Sequence, residues 1–390
     1  MSMSMSMSST PDPSFTIAII CAGIAGLALA IGLRKQNAAC KYTIYEAAPQ
    51  FHAVGAGIGM GPNALRAMEL MDAGFAEMYV RPDQGVWGGS VSHWDFERSS
   101  AHRQALLEVM SALVPDGTVQ FNRWVMRVEH VEGQTRGVTR RVVLEMEYPE
   151  EIVAKYCHPY FYRNIVPMQE AKLILGSYAD NAKWFMGEGR RCVMYAISKG
   201  EEVNVVVFIR DERPWVGEQA AMRVSREDML SDFNGFDKRL LDHTKPLRWP
   251  LFHHPDILTY YRGHVCVLGD SAHASSPSQA AGAGLGLEDA LVMSGLLGLV
   301  KKPEQLESAS EVYNSIRQPR AQAVVQGSQE ALLAYFLVHP EFGHDIQKLT
   351  DYANTRLPLI RFHDLEGDVK TAGQRFRELT EAAQPDNREQ

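Results

Sequence analysis

One stretch governs what this chain can fold into: Phe15 to Leu33, FTIAIICAGIAGLALAIGL, which contains no charged residue. Its length approaches the roughly 20 residues that a membrane-spanning helix needs, but its internal division argues for something else. Phe15 to Ile20 is rich in β-branched residues and suits a buried strand, whereas Ala22 to Gln36 is rich in Ala and Leu at helical spacing, with glycines at the join. Tyr42 to Glu46 follows as a second strand with alternating faces. Strand, turn, helix and strand in this order predict a βαβ unit, and hence a parallel sheet. No stable membrane insertion is expected.

The join reads Cys21-Ala22-Gly23-Ile24-Ala25-Gly26. A turn that carries a pyrophosphate wants glycine at three places: at the bend, where backbone approaches phosphate, and where helix packs on strand. Gly23 and Gly26 meet the second and third needs. Glu46, about 20 residues on, stands where an acidic side chain would take ribose hydroxyls. The same small residues would also serve a helix that merely packs closely on a sheet. The first position holds Cys21. If that bend requires a glycine-like conformation, a Cβ there costs on the order of 1–2 kcal/mol, about a tenfold loss in binding.

The chain of 390 residues is long enough for two structural units, or one α/β domain with a large insertion. Its net charge of -8 and the absence of a basic stripe exclude a phosphate-backbone partner, so no nucleic acid is expected. Five scattered cysteines, Cys21, Cys40, Cys157, Cys192 and Cys266, fit a reducing compartment, and the expected location is cytoplasmic. With no CxxC pair and no HExxH, no metal site is assigned. The opening MSMSMSMSSTPDPS is polar and of low complexity, which predicts a disordered arm without a secretory signal.

Further along, Val54 to Met60 reads as a glycine-rich loop, and Asn63 to Leu70 as a helix with Pro62 at its start. Ser99 to Leu113 has amphipathic helical spacing, closed by the turn Pro115-Asp116-Gly117. Val119 to Val131 and Val138 to Met146 look strand-like. Arg190 to Ile197 and Glu202 to Ile209 read as antiparallel neighbours joined at Ser198-Lys199-Gly200, part of a middle sheet whose face can floor a pocket. His264 to Leu268 is a further strand, Gly286 to Leu299 a long helix, and the chain from Glu304 onward helical.

A second constellation lies at Val265 to Ala290, VCVLGDSAHASSPSQAAGAGLGLEDA. A strand delivers Gly269-Asp270, and Ala281-Gly282-Ala283-Gly284 opens a helix whose N–H groups favour negative charge. Asp270 suits hydrogen bonds from a polyhydroxylated chain. His273 is read as a structural hydrogen-bonding residue, and His253 and His254 as surface residues.

These two motifs, with YEAAPQFHAVGAGIGMGPNALRAMELM and SSAHRQALLEVM, resemble the class A FAD-dependent aromatic hydroxylases, in particular their salicylate-hydroxylase-like members. The resemblance runs from Phe15 to about Arg127 and from about Tyr162 to Leu333, including WPLFHHP and IRQPRAQAVVQGS. It implies an α/β fold in which a Rossmann-like FAD-binding domain with a parallel sheet joins an antiparallel-sheet substrate domain and C-terminal helices. The expected division is residues 1–14 as the arm, 15–146 and 251–333 as the two parts of the FAD-binding domain, 147–250 as the substrate domain and 334–390 as a helical tail. It further implies that Gly23 and Gly26 face the FAD pyrophosphate, Glu46 the adenosine ribose and Asp270 the ribityl chain. Arg103 would steady the cofactor, and Pro277 with Ala281, Gly282, Ala283 and Gly284 would lie against the isoalloxazine ring. NAD(P)H would be the co-substrate, a small aromatic molecule the substrate, and the assembly a monomer or homodimer.

The chain also departs from that family. Relatives carry an Asp-Gly pair ahead of the segment resembling YRNIVPM, and Val131 to Tyr162 is short and lacks it. Either a coding variant or a real remodelling of the sheet accounts for this. Arg191 stands where relatives often show histidine, Ser278 where they show an aromatic residue or histidine, and Ala280 where they show glycine. Arg190, Arg191 and Tyr195, on one alternating strand, can hold a phenolate or carboxylate, arginine through its planar fork; one or both arginines can equally be solvated surface charges. The expected activity is FAD-dependent hydroxylation of a phenolic or polyketide-derived aromatic in secondary metabolism. The competing expectation is a flavin-fold protein that has lost redox chemistry and acts as a non-redox cyclase, isomerase or binding protein.

Overall fold

The computed structural model describes residues 15–36, 40–51, 57–80, 87–93, 96–126, 128–130, 133–135, 139–180, 182–216, 221–234 and 245–382. The N-terminal arm, Val54 to Ala56, Val131 and Val138 lie outside the described residues. In chain order, β1 (Phe15–Ile20), α1 (Ile24–Lys35) and β2 (Cys40–Tyr45) come first, then β3 (Gly57–Met60), α2 (Pro62–Met71) and α3 (Ala73–Val80). Next are β4 (Trp87–His93), β5 (Phe96–His102), α4 (Arg103–Ala112), β6 (Val119–Gln120), β7 (Val128–His130), β8 (Gly133–Thr135) and α5 (Thr139–Leu144). The middle of the chain holds β9 (Lys155–Pro167), α6 (Met168–Leu175), β10 (Lys183–Gly187), β11 (Arg190–Ile197), β12 (Glu202–Arg210), β13 (Met222–Arg223), α7 (Arg226–Asp232) and β14 (Leu247–His253). It closes with β15 (Tyr261–Arg262), β16 (Val265–Cys266), α8 (Asp270–His273), α9 (Gly282–Leu299), α10 (Leu306–Tyr335), α11 (Ile346–Arg361) and α12 (Leu365–Ala382).

The uncharged run from Phe15 to Leu33 divides as its composition requires. β1 pairs parallel with β2, Phe15 opposite Cys40 and Ile20 opposite Tyr45, and β2 pairs parallel with β6. Ala- and Leu-rich α1 buries Leu27, Ala28, Ala30, Ile31 and Leu33 between that sheet and α9. The antiparallel sheet runs β10-β11-β12-β9-β14-β13 and has its own core on one face, including Tyr162, Met194, Val205, Val207 and Phe233. α9 is long and apolar enough to cross a membrane, yet 72% of its length lies inside the protein, among α1, α2, α10 and α12. Its burial within a folded core accounts for its hydrophobicity without lipid.

Several local expectations need correction. Ser99 to His102 is strand: Ser99 pairs with Met60 and Ser90, and Ser100 with Gly59, so sheet pairing overrides the helical spacing and α4 begins at Arg103. Gly57 to Met60, read as loop, is the partner strand β3. Thr139 to Leu144, read as part of a strand, is helix α5; its β-branched Val142 and Val143 are buried by packing rather than by sheet pairing. The proposed strand from Val119 to Val131 is two short pieces, β6 and β7. His253 and His254 are half-buried, and each has a buried Nδ1 without a partner. Burial, then the charge of Arg140, pulls the His254 imidazole down to about 4.

Candidate functional site

β1 delivers the chain to Cys21, whose backbone adopts a φ of +85°, the left-handed region that a glycine would occupy without strain. Its N–H donates to the Tyr45 carbonyl at 2.8 Å, tying the turn to the end of β2. Gly23 caps α1 without a side-chain hydrogen bond, so the positive end of this twelve-residue helix is left for another partner. Gly26 must be small: a Cβ built on it would lie 2.2 Å from the Cys21 carbonyl oxygen. Glu46 is held at the mouth of the turn, where Oε2 accepts from Ala22 N at 2.8 Å and Oε1 from Ala48 N at 2.9 Å. The Cys21 thiol sits between Glu46 and the Gly23 backbone; desolvation, then the Glu46 charge, pushes its pKa up and keeps it a thiol.

The second constellation abuts the first. A Cβ built on Gly269, at φ +57°, would lie 2.9 Å from the Ala25 Cβ, and one on Gly286 would lie 3.2 Å from it. Asp270 is exposed at the start of α8, with an Oδ1 that would lie 4.0 Å from a Cβ on Gly282. Pro277, also exposed, starts the short turn Pro277–Gln279, and Ala280 takes a left-handed φ of +50° before buried Ala281. Gly282, Ala283 and Gly284 form the first turn of α9, again without a side-chain cap. Arg103 is half-buried at the first position of α4, where its charge reaches both Cys21 and Arg163 of β9.

The Gly269-Asp270 turn is fixed from below by a buried ionic network. Asp289 Oδ2 accepts from Gly269 N at 2.9 Å and meets His273 Nε2 at 2.6 Å, while its Oδ1 accepts from Arg317 Nε at 3.0 Å. Arg317 also donates to Glu288 at 2.8 Å, and Glu288 accepts from Asn63 at 2.7 Å. Burial alone would raise the Asp289 carboxyl, but His273 and Arg317 hold it down at about 2. His273 therefore has the structural role read from the sequence.

Facing these loops is one side of the antiparallel sheet. Strand register sets out three rows: Arg191, Phe208, Phe161 and Trp249; then Val193, Val206 and Arg163; then Tyr195, Asn204 and Ile165. A Cβ on Gly57 of β3 would lie 2.7 Å from the Tyr195 ring, so β3 closes over this end. At the other end the Arg191 guanidinium lies 4.4 Å over the Phe208 ring and 5.1 Å from that of Phe336, and donates to Ser278 Oγ at 3.2 Å.

The fold thus gathers Gly23, Gly26, Glu46 and Arg103 with Asp270 and the Pro277 to Gly284 segment, and turns Arg191 and Tyr195 toward them. Arg190 is separated from that pair: alternation sends it to the opposite face, where it donates to the Asn234 carbonyl at 2.7 Å. Sequence reasoning passed over Arg163 and Asn204, although both are polar residues in apolar strands on the face shared with Phe161 and Phe208. It also passed over Asp289 and Arg317.

Residues 243–328 match the FAD binding domain family. The chain is 35% identical to an FAD-dependent monooxygenase of Gibberella moniliformis, over 93% of this chain and 97% of that protein. It is 30% identical to a 6-methylsalicylate 1-monooxygenase of Aspergillus terreus, over 94% and 93%. A solved salicylate hydroxylase substrate complex superposes with a TM-score of 0.80 at 25% identity, covering 93% of this chain and 98% of that one. The chain belongs to the class A flavoprotein aromatic hydroxylases. As a member of that family it is an FAD-dependent monooxygenase. Its alignment with the Gibberella protein spans 429 positions, more than its own 390 residues, so the relative carries segments without counterpart here.

The described residues fit FAD. Two uncapped helix N-termini suit phosphates and an electron-rich ring, the cradle at Gly26 excludes any side chain, and the carboxylates of Glu46 and Asp270 suit hydroxylated segments at two ends. Cys21 is the side chain in that cradle that must accommodate the cofactor.

Proposed function

We propose that this flavoprotein hydroxylates a phenolic or polyketide-derived aromatic compound with NAD(P)H and O2, in the cytoplasm and as part of secondary metabolism. The observation that carries this reading is the contact of Arg191 with Ser278, which puts the patterned sheet face against the loop assigned to the flavin ring. Bound FAD supplies the oxygen-activating redox chemistry, with the nicotinamide as source of electrons. The chain supplies the rest. Gly23, Gly26 and the α1 N-terminus hold the pyrophosphate, Glu46 the ribose and Asp270 the ribityl hydroxyls, while Arg103 steadies the assembly and Pro277 and Ala281 to Gly284 lie along the ring. Arg191 and Tyr195 hold the substrate oxygen functions over the Val193 and Val206 floor. The apolar walls exclude water, which strengthens each polar contact inside. Arg190, facing away, is assigned no contact.

The names of the relatives, one acting on 6-methylsalicylate, support an aromatic substrate. The test is a visible spectrum of the purified protein, followed by NAD(P)H oxidation and mass analysis with salicylate and 6-methylsalicylate as probes. The protein is expected to be yellow and to give a product that has gained one oxygen, with loss of CO2 where the oxygen enters at the carboxylate-bearing carbon. Protein that stays colourless after incubation with FAD would overturn the reading in favour of a non-redox descendant of the fold.

A further inference from the structure

Arg317 and Arg320 stand one turn apart on α10 and tie four helices to one point. Arg317 directs its whole fork at carboxylates: Nε donates to Asp289 and Nη2 to Glu288, both of α9, and Nη1 to Asp368 of α12 at 3.5 Å. Arg320 donates to Glu288 at 3.3 Å and to the Leu359 and Ile360 carbonyls in the last turn of α11 at 2.9 and 2.8 Å. A cation there also answers the negative end of that helix. His363, in the bend between α11 and α12, meets Asp368 Oδ2 at 2.8 Å.

Two arms lead from this point to the segments assigned to the cofactor. Asp289 accepts from Gly269 N and so sets the turn that presents Asp270. Glu288 accepts from Asn63 Nδ2, an atom 2.8 Å from where a Cβ on Gly284 would stand, and so sets how α2 meets the first turn of α9. Carboxylates this deep keep their places only while their cations do. The outward end is the weak one: the Asp368 and His363 side chains are 18% and 27% exposed, against 0% for Arg317, Glu288 and Asp289. The contact with Asp368 is also the longest of the three that Arg317 makes. Few residues anchor the two C-terminal helices, Leu365, Ala372 and Phe376 in α12 and Leu349 and Ile360 in α11. Such a unit opens at a lower free energy than the whole protein.

We propose that α11 and α12 form a latch on the cofactor cleft, with Asp368, oriented by His363, as its positioning residue. Docked, the pair completes the fork of Arg317 and fixes the Gly269-Asp270 turn and the start of α9; undocked, it frees both. This rests on the assignment of those two segments to FAD and adds what governs their readiness to bind. By linkage, bound FAD in turn holds the latch shut.

The test is amide hydrogen exchange on the full chain, read by mass analysis of peptides covering residues 265–273 and 365–382, with and without FAD. In the flavin-free protein Asp368→Asn should speed exchange of 265–273 by about 5- to 10-fold, at the lower end of couplings between distant sites, although Arg317 and Asp289 stand between. Peptides from β11 and β12 should keep the parent rate. Asp368→Glu, which retains a carboxylate, should restore most of the protection, and Arg375→Ala, on the same helix but bonded to Ser315, should leave it unchanged. His363→Gln should act as Asp368→Asn does, more weakly, and serves in its place if that variant does not fold. FAD should slow exchange of 365–382 in the parent, and fluorescence titration should show Asp368→Asn binding it about 5- to 10-fold more weakly. Exchange of 265–273 that ignores both substitutions overturns the proposal, and so does uniform acceleration across the chain. A protein that takes up no FAD, yet loosens at 265–273 in Asp368→Asn, keeps the latch and sinks the flavin reading alone; one that binds FAD with 265–273 untouched sinks the latch alone.

Discussion

At the scale of single residues, two of the seven non-glycine side chains that sit on a left-handed backbone among the described residues stand beside the proposed cofactor site. Cys21 and Ala280 both adopt left-handed φ values, +85° and +50°, at the two loops that flank the proposed cofactor. Such a residue costs roughly 1 kcal/mol against glycine. Cys21 does more than strain the turn, since its thiol sits against Glu46 and the Gly23 N–H, two of the groups assigned to ribose and phosphate. Cys21→Gly should therefore tighten FAD by about tenfold, measured by flavin fluorescence titration. Ala280→Gly, which relieves strain but frees no binding group, should change affinity less. A Cys21→Gly protein with unaltered FAD affinity would show that the turn accepts the thiol without cost.

At the scale of elements, α8, α9 and α10 are joined through Arg317, Glu288, Asp289 and His273, all fully buried. This ionic node positions the Gly269-Asp270 turn, because Asp289 binds the Gly269 N–H directly. Removing one partner leaves the others charged in a dry interior, so Arg317→Met should cost about 3–5 kcal/mol. The pH dependence has a definite sign. Asp289 is held at about 2, below an unfolded carboxyl near 3.9, so its contribution is complete above about pH 4 and is lost as pH falls toward 2. The parent protein should fall steeply in that window; Arg317→Met should start lower at neutral pH and fall less, as thermal midpoints across an acid series would show. Identical profiles would mean that the node contributes nothing. The amino-acid sequence showed α1, α9 and the Val-rich strands plainly, because their periodicity and composition agree with their burial. It misled at Ser99 to His102 and Thr139 to Leu144, where pairing with β3 in one case and packing in the other outweighed local preference. Asp289 and Arg317 were illegible because their partnership joins helices far apart in the chain.

At the scale of the whole molecule, the proposed cofactor site draws on the turn at Cys21 to Gly26, on Glu46, on Arg103 and on Asp270 to Gly284, segments that only the complete fold brings together. Its motifs could be recognised one at a time, but their contact through Ala25 and Gly269 could not, nor could the opposite facing of Arg190 and Arg191 be settled until the strand had neighbours on both sides. A ligand held by such dispersed segments has no comparable site in the unfolded chain, so its binding free energy is added to stability. At a free concentration of 100 times its dissociation constant, FAD should stabilise the native state by about 2.7 kcal/mol. Glu46→Gln should shrink that gain while leaving the flavin-free protein close to the parent, because the amide oxygen can still accept from one of the two N–H groups that Glu46 now serves. Differential scanning calorimetry with and without FAD measures both quantities. A parent protein whose midpoint ignores FAD, at concentrations that saturate its fluorescence, would place the flavin on a preformed local surface and not in a cradle built by the fold.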